Sequence, residues 1–469
     1  AELGKSVALI ERDGTLGGTC LNRGCIPSKA LLTAVHSVET IHNAERMGIN
    51  ATLQSIDFGR LRDFRVSTVE TMTKGLTGLL AHRGVTVFRG CAALQNAHTV
   101  RVTPAEGETQ GSRSVEAGVF EPVETELAID ADDIVLATGS RPLALPGNPF
   151  AGALIDSTQA LELNTLPSSA VIIGAGAVAL EFASLWNAAG CEVTLLIRKD
   201  RVLSTWERRA SMTLTRELKR RGVNVIARTA VDRVDTGANL GATVHYRQGD
   251  SDEDRTAYGE VVLAAIGRVP NTDADWFRSS GLKLDERGYV TVDGYGRTNL
   301  DGVWALGDIT PGHALAHRAF EQGITIAEKI AGADPKPVID DTVPQVVFSF
   351  PEAASVGLTL DQAKAREDVV EPKETAYPML SNARMLMSGE GGSMTVVSGA
   401  FANNPDMQVV LGVHIVSPIA SDLIAEAEQL VGNRVPLADA APLIHPHPTF
   451  SETLGEALLK ADGRPLHTR

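Results

Sequence analysis

Apolar positions fall into short runs that alternate with stretches of helical periodicity through the first two thirds of the chain. "KSVALIER" reads as a strand, and "PSKALLTAVHSVETIH" as a helix with apolar residues three and four apart. "DDIVLATGS" reads as a buried strand ending in a glycine turn, and "SSAVIIGAGAVALEFASLWNAAGCEVTLLIRKD" as a complete strand–turn–helix–strand. "GEVVLAAIGRVPN" and "DGVWALGDI" add two more strands that end on glycine. This alternation predicts parallel α/β domains. From about Asp341 the pattern changes. "PQVVFSFPEAASVGL", "GSMTVVSGA" and "MQVVLGVHIVSP" alternate like antiparallel strands, and helical stretches follow as far as "HPHPTFSETLGEALL". Two α/β domains and a C-terminal α+β domain are therefore expected. The polar, glycine-dotted segment from Thr103 to Glu126 reads as an exposed hairpin excursion without chemistry.

Composition narrows the class. The 469 residues, 43% hydrophobic and 22% charged, are ordinary globular material for about three domains. A net charge of −15, unbroken by any lysine–arginine cluster, argues against nucleic acid or an anionic membrane as partner. No run approaches the ~18 apolar residues of a membrane helix, and no signal peptide opens the chain. Four cysteines are too few for a secreted disulfide framework, so the cytoplasm is the expected compartment. Cys91 and Cys191 are read as small buried hydrophobes.

Cys20 and Cys25, in "GGTCLNRGCIPSKALL", need another explanation. A disulfide staple, a metal clip and a redox-active pair compete. The C-x4-C spacing does not match the usual zinc pattern and no second pair completes four ligands, so no metal is expected. A reducing compartment would not keep a purely structural disulfide closed. Pro27 suits a first helical turn and places Cys25 near a helix N-terminus, where the dipole lowers a thiol from its ordinary pKa of ~8.5. A thiolate beside a partner thiol meets the requirement for thiol–disulfide exchange, and the redox pair is the favoured reading. Exchange also needs a proton acceptor. "HPHPTFSE" supplies His445, His447 and Glu452. A histidine held by a carboxylate is a base near neutral pH; a helix-capping histidine in a proline-kinked loop is an equal alternative.

Nucleotide chemistry is written in "VIIGAGAVALEFA". Gly174, Gly176 and Ala179 fit G-x-G-x-x-G/A between an apolar strand and an apolar helix, the setting in which a pyrophosphate meets a helix N-terminus. The second strand ends at Ile197, followed by Arg198 and Lys199, where an acidic residue would select NAD. Basic residues there lean towards NADP. Glu11, at the end of "VALIE", suits a ribose hydroxyl of a second nucleotide. The strand and phosphate turn of that second site are expected ahead of Ala1.

The cysteine stretch, "LATGSRP", "GAGAVALEFA", "AIGRVPNT", "WALGD", "LAHRA", "PEAASVGLT" and "HPHPTFSE" stand in the order found in class I pyridine nucleotide–disulfide oxidoreductases. The chain resembles the dihydrolipoamide dehydrogenase branch of that family from its first residue to about Leu459. The resemblance implies an α/β fold with two Rossmann-like domains, for FAD and for NAD(P), and a C-terminal α+β dimerisation domain. The implied division is 1–147 for FAD, 148–271 for NAD(P), 272–340 returning to FAD and 341–469 for the interface.

It further implies a homodimer that oxidises a small dithiol, including the lipoyl domain of a 2-oxoacid dehydrogenase complex, with NAD as the family's usual acceptor. Cys25 would be the thiol nearest the flavin and Cys20 the interchange thiol. His447, oriented by Glu452, would be a base reaching the other subunit's cysteines, with His445 behind it. Lys29 and Glu181 would pair beside the flavin, and Asp308 would hold its polar chain. Thr19, Ala92, Thr138, Gly139, Ser140 and the run Ala314, Leu315, Ala316, His317 would line the FAD site, and Gly267 belongs to the implied cofactor set.

No cysteine follows Cys191, unlike mercuric reductases, and no tyrosine or tryptophan lies between Leu31 and Gly90, unlike glutathione reductases. The alternatives are an NADPH-dependent reductase of another small disulfide or a quinone, and a non-catalytic flavoprotein docking subunit.

Overall fold

The computed structural model describes residues 1–105, 121–237 and 241–468. Most of the Thr103–Glu126 excursion therefore lies outside the described residues.

The first sheet starts as the alternation predicts. Ala8–Glu11 runs parallel to the beginning of Thr86–Asn96, with Glu11 level with Arg89. The connection is helical: Gly18–Arg23, Cys25–Ala44 and the 25-residue Phe58–His82. The sheet then departs from expectation. Thr86–Asn96 outruns its parallel partner and pairs antiparallel with Thr99–Pro104, which pairs antiparallel with Leu127–Asp130. Eleven residues exceed what the four-residue first strand can cover, so the free length is satisfied by a meander. The short strand Ile134–Leu136 pairs parallel with Val303–Ala305, so the chain returns to this region after a long absence.

The second sheet has the order Asn224–Ala227, Glu192–Ile197, Ser169–Ile173, Val261–Ala264, Leu154–Ile155, all parallel. Its central strand, "SAVII", is buried on both faces, which explains a continuous apolar run in place of alternation. Three antiparallel strands, Thr229–Thr236, Ala242–Gln248 and Arg255–Gly259, interrupt the alternation before the last crossover. Where the chain leaves for this sheet and where it comes back, Ser140–Pro142 and Arg268–Pro270 pair antiparallel.

The third sheet is antiparallel throughout, as its sequence suggests: Gln345–Val347, Glu352–Gly357, Asn404–Ser417, Ser393–Phe401, Val369–Tyr377. Helices Ala420–Gly432 and Glu452–Ala461 pack their apolar faces on it.

One core joins the parts. Leu32 and Val35 of the cysteine helix, Phe182 and Trp186 of helix Ala177–Ala188, and Val347, Ala353 and Val416 of the third sheet are buried in a single cluster. Each such side chain contributes roughly 1.5–3 kcal/mol when fully buried, so the helix that begins at Cys25 is anchored from both sides.

Candidate active site

The glycine-rich setting of the two cysteines has a steric cause. Gly17 and Gly18 both adopt positive φ, at 106° and 57°. A Cβ on Gly17 would run into the Leu21 side chain, and one on Gly24 would meet the Thr19 carbonyl at 3.0 Å. The chain can therefore turn tightly twice, once into helix Gly18–Arg23 and once out of it. Cys20 sits in that short helix and Cys25 opens the next, and they form a disulfide with Cα atoms 4.6 Å apart. The six-residue helix carrying Thr19 and Cys20 is too short to show a helical period in sequence. Gly24 gives the long helix no side-chain cap, so the amides of its first turn face the Cys25 sulfur's surroundings with the positive end of the dipole.

The other two cysteines differ from each other. Cys191 is buried, and burial, with Glu260 and Glu192 nearby, pushes its thiol up to about 12. It is inert. Cys91, expected to be buried, is instead partly exposed, because its strand has solvent on one face.

One turn into the cysteine helix, Lys29 donates to both oxygens of Glu181 at 2.9 and 2.7 Å. Glu181 is buried on the helix that follows the phosphate turn and also accepts the Phe348 amide at 3.2 Å. The Lys29 ammonium lies 4.5 Å from the centre of the Phe348 ring. This single pair ties the cysteine helix, the second sheet's helix and the third sheet's first loop together.

The residues expected around a flavin gather at the strand ends of the first region. Glu11 closes its strand and accepts the Asp13 amide at 2.9 Å; burial pushes its carboxyl upward against that bond. Ala92 lies three residues beyond Arg89 on the neighbouring strand. Thr138 and Asn271 exchange hydrogen bonds: Thr138 Oγ1 donates to the Asn271 carbonyl and Asn271 Nδ2 to the Thr138 carbonyl, both at 2.9 Å. Gly139 has φ 70° with open space where a Cβ would stand. Ser140 donates to Asp308 Oδ2 at 2.5 Å and accepts from Arg268 Nε at 2.6 Å. Ala314 and Leu315 lead into the helix that Ala316 opens, and His317 Nε2 reaches the Pro344 carbonyl at 2.7 Å. Arg268 and Asn271 hold Ser140 and Thr138 in place and were not singled out from sequence. Their signal was present in "AIGRVPNT", directly after the expected Gly267.

At the second turn, Gly174 has φ 142°, and a Cβ there would strike the Ala265 carbonyl. Gly176 caps helix Ala177–Ala188 without a side-chain bond, and nothing lies within 4 Å of where its Cβ would be. Gly267, at φ 138°, is equally open. Bare backbone amides facing open space fit a pyrophosphate. Ile197, which stands where an acidic residue would select NAD, has its side chain fully buried in the core. The strand end presents the exposed Arg198 and Lys199 instead. A third exposed cation, Arg228, joins them. The register sets Ile197 beside Ala227, so Arg198 and Arg228 leave adjacent strands together, and the Arg228 amide donates to the Lys199 carbonyl at 3.0 Å. Arg228 also holds φ 56°, a conformation unusual outside glycine. Strand adjacency, invisible in one dimension, is why sequence reading missed it.

His447 Nδ1 is 2.7 Å from Glu452 Oε1, at the start of helix Glu452–Ala461. Glu452 Oε2 accepts the Thr449 amide at 2.7 Å. Burial pushes the Glu452 carboxyl up, but the Thr449 amide and His447 outweigh it and hold the group below its usual range. The carboxylate therefore stays ionised and orients the imidazole, leaving Nε2 outward on a side chain that is 76% exposed. His445 is turned the other way, with Nε2 at 2.8 Å from Glu426 and its ring over Gly455. That pairing, despite partial burial, raises its pKa.

The Pyridine nucleotide-disulphide oxidoreductase family matches residues 1–323, and the dimerisation domain of the same family matches 343–458. The chain belongs to the pyridine nucleotide–disulphide oxidoreductases. As a member it is an FAD-dependent, NAD(P)-linked disulfide oxidoreductase, an enzyme rather than a docking subunit, and a homodimer. Dihydrolipoyl dehydrogenase of Geobacillus stearothermophilus is 37% identical across the whole chain and 93% of that protein, and its Chlamydia pneumoniae counterpart 33% identical over 98% of this chain and 92% of that one. Among solved structures, LpdA of Mycobacterium tuberculosis superposes with a TM-score of 0.84 at 26% identity, covering 98% of this chain and 94% of that one. The HOCl-induced flavoprotein disulfide reductase RclA of Escherichia coli gives 0.80 at 25%, covering 97% and 94%. No helix among the described residues is long and apolar enough to cross a membrane.

Proposed function

We propose that this oxidoreductase is a dihydrolipoyl dehydrogenase that uses Cys20 and Cys25 as its exchange pair and His447 as its base. The observation that carries the reading is a disulfide opened onto a helix N-terminus in a chain that also holds a histidine–carboxylate pair at 2.7 Å. One substrate thiolate attacks Cys20 Sγ and breaks the Cys20–Cys25 bond, and Cys25 leaves as a thiolate favoured by the helix dipole. The second substrate thiol gives its proton to His447 Nε2 and attacks the mixed disulfide, releasing the cyclic disulfide and Cys20. Glu452 holds the resulting imidazolium. Bound FAD supplies the two-electron relay between the reduced pair and NAD(P)+. Glu11, Thr138, Gly139, Ser140 and Asp308 are the residues that would hold the flavin, with Lys29–Glu181 beside it. Because His447 projects outward, it serves the thiol pair of the second copy.

The working division of the chain is 1–147, 148–271, 272–340 and 341–469, and a turnover disulfide of this kind belongs in the cytoplasm. Arg198, Lys199 and Arg228 favour NADP over NAD, which supports a second reading, an NADPH-linked reductase of another small disulfide or a quinone. Anaerobic addition of dihydrolipoamide to the purified enzyme, with thiols alkylated and mapped by mass spectrometry, separates the two. Labelling of Cys20 and Cys25 at about one equivalent, with lipoamide formed, supports the first. Labelling only after NADPH supports the second.

A further inference from the structure

The base sits on a loop whose hydrogen bonds run within it or to the first turn of helix Glu452–Ala461. Glu452 holds His447 and the Thr449 amide. Thr449 Oγ1 donates to the Pro446 carbonyl at 2.6 Å and meets Ser451 Oγ at 2.9 Å. Glu452 is anchored through helix Glu452–Ala461, whose Leu454 and Leu458 are buried in the third sheet's core, whereas the loop ahead of it needs a hold of its own. Among the described residues, one hydrogen bond reaches 446–451 from outside the loop and the helix that follows it: Asn382 Nδ2 donates to the Thr449 carbonyl at 2.9 Å.

Asn382 is built to hold still. It is 5% exposed, and its Oδ1 accepts the Met385 amide at 3.1 Å, capping helix Ala383–Ser388. Met379 and Met385, on either side of it, are buried in the core of the third sheet. Both ends of the carboxamide are used, and only an asparagine side chain of this length both caps and donates. The neighbouring Arg384 guanidinium stands 5.2 Å from the Phe450 ring, a second grip on the same loop.

We infer that Asn382 is the positioning residue that fixes the His447–Glu452 pair to the body of the dimerisation domain. Thr449 links the two: its carbonyl is held by Asn382 and its amide by Glu452, so a shift at one is passed to the other. This rests on the base assignment proposed above, and small displacements of a reacting group cost large factors in rate.

The test uses the flavin-loaded dimer and the variants Asn382→Asp and Asn382→Ser. Both keep a capping oxygen; an ionised aspartate has no donor, and serine has no second polar atom to reach the Thr449 carbonyl while its hydroxyl caps. In both, kcat for dihydrolipoamide oxidation is expected to fall roughly ten- to a hundred-fold. The acidic limb of its pH profile is expected to move, while KM for NAD(P)H and ferricyanide reduction by NAD(P)H (which needs no histidine base) stay near the parent's; the melting temperature falls by a few degrees, more in the aspartate variant. An unchanged kcat and pH limb overturns the inference. A parallel fall of the ferricyanide and dithiol reactions also overturns it, since that marks a merely structural residue. If the parent enzyme itself leaves dihydrolipoamide untouched, the substrate reading has failed, and the same comparison is made on NADPH-driven reduction of an aromatic disulfide.

Discussion

Two histidines of the dimerisation domain show what decides the role of an imidazole. His414 lies on the central strand Asn404–Ser417 with no exposure; Ser355 Oγ is 2.7 Å from its Nδ1 and its Nε2 is 3.2 Å from the Leu358 carbonyl. Burial pushes its pKa down to about 4 against the opposing Leu358 carbonyl. His447 meets a carboxylate held ionised and turns its free nitrogen outward. Both rings are hydrogen-bonded on Nδ1. The difference lies in the partner's charge and in access, so one histidine is a neutral strut and the other is placed to move a proton.

That contrast predicts a double dissociation. The largest effect is expected for His447→Gln, which should lower kcat for dithiol oxidation by roughly 10²–10⁴ and leave the melting temperature unchanged. A loss of stability without a loss of rate would reverse the two roles. Next comes the strut. The unfolded chain binds a proton at His414 near pH 6.5, whereas the folded chain does so only near 4. Stability from this group is complete above about pH 6.5, falls as pH drops through that window and changes no further below 4. The total is about 3 kcal/mol by linkage. Denaturant unfolding at pH 7 and pH 4.5 reads it directly, and His414→Leu should flatten the slope. A smaller effect, about tenfold in kcat, is expected for Glu452→Gln, which keeps a hydrogen bond to His447 but removes the charge. The smallest concerns the coenzyme: Arg228→Thr should raise KM for NADPH a few-fold and leave KM for NADH alone, as steady-state kinetics would show.

Much of this was legible before the fold was known, for reasons that are local. Cys20, Cys25 and the Gly174 turn announce themselves because tight turns and helix starts leave marks within a few residues. The third sheet was legible from short apolar runs separated by turn residues, although Ser393–Phe401 and 409–417 are buried on both faces rather than alternating. That the Ile197 side chain is buried was not legible, because its position in the motif says nothing about which way the side chain faces. Arg228, Arg268 and Asn382 were missed because their significance comes from partners across strands or from segments tens of residues away. The same is true of the strand Thr86–Asn96, whose antiparallel half depends on a partner that periodicity does not name.

The pairing of Ser140–Pro142 with Arg268–Pro270 has a consequence for engineering. The segment between them enters and leaves through neighbouring strands, but it is not independent of what lies outside: Glu181 within it pairs with Lys29, and Phe182 and Trp186 share a core with Leu32, Val35 and Val416. Arg198, Lys199 and Arg228 all lie within it. Cys20, Cys25, His447 and Glu452 all lie outside. Exchanging only the exposed strand ends that carry Arg198, Lys199 and Arg228, with helix Ala177–Ala188 left in place, is therefore expected to alter coenzyme preference without disturbing the seat of the thiol pair.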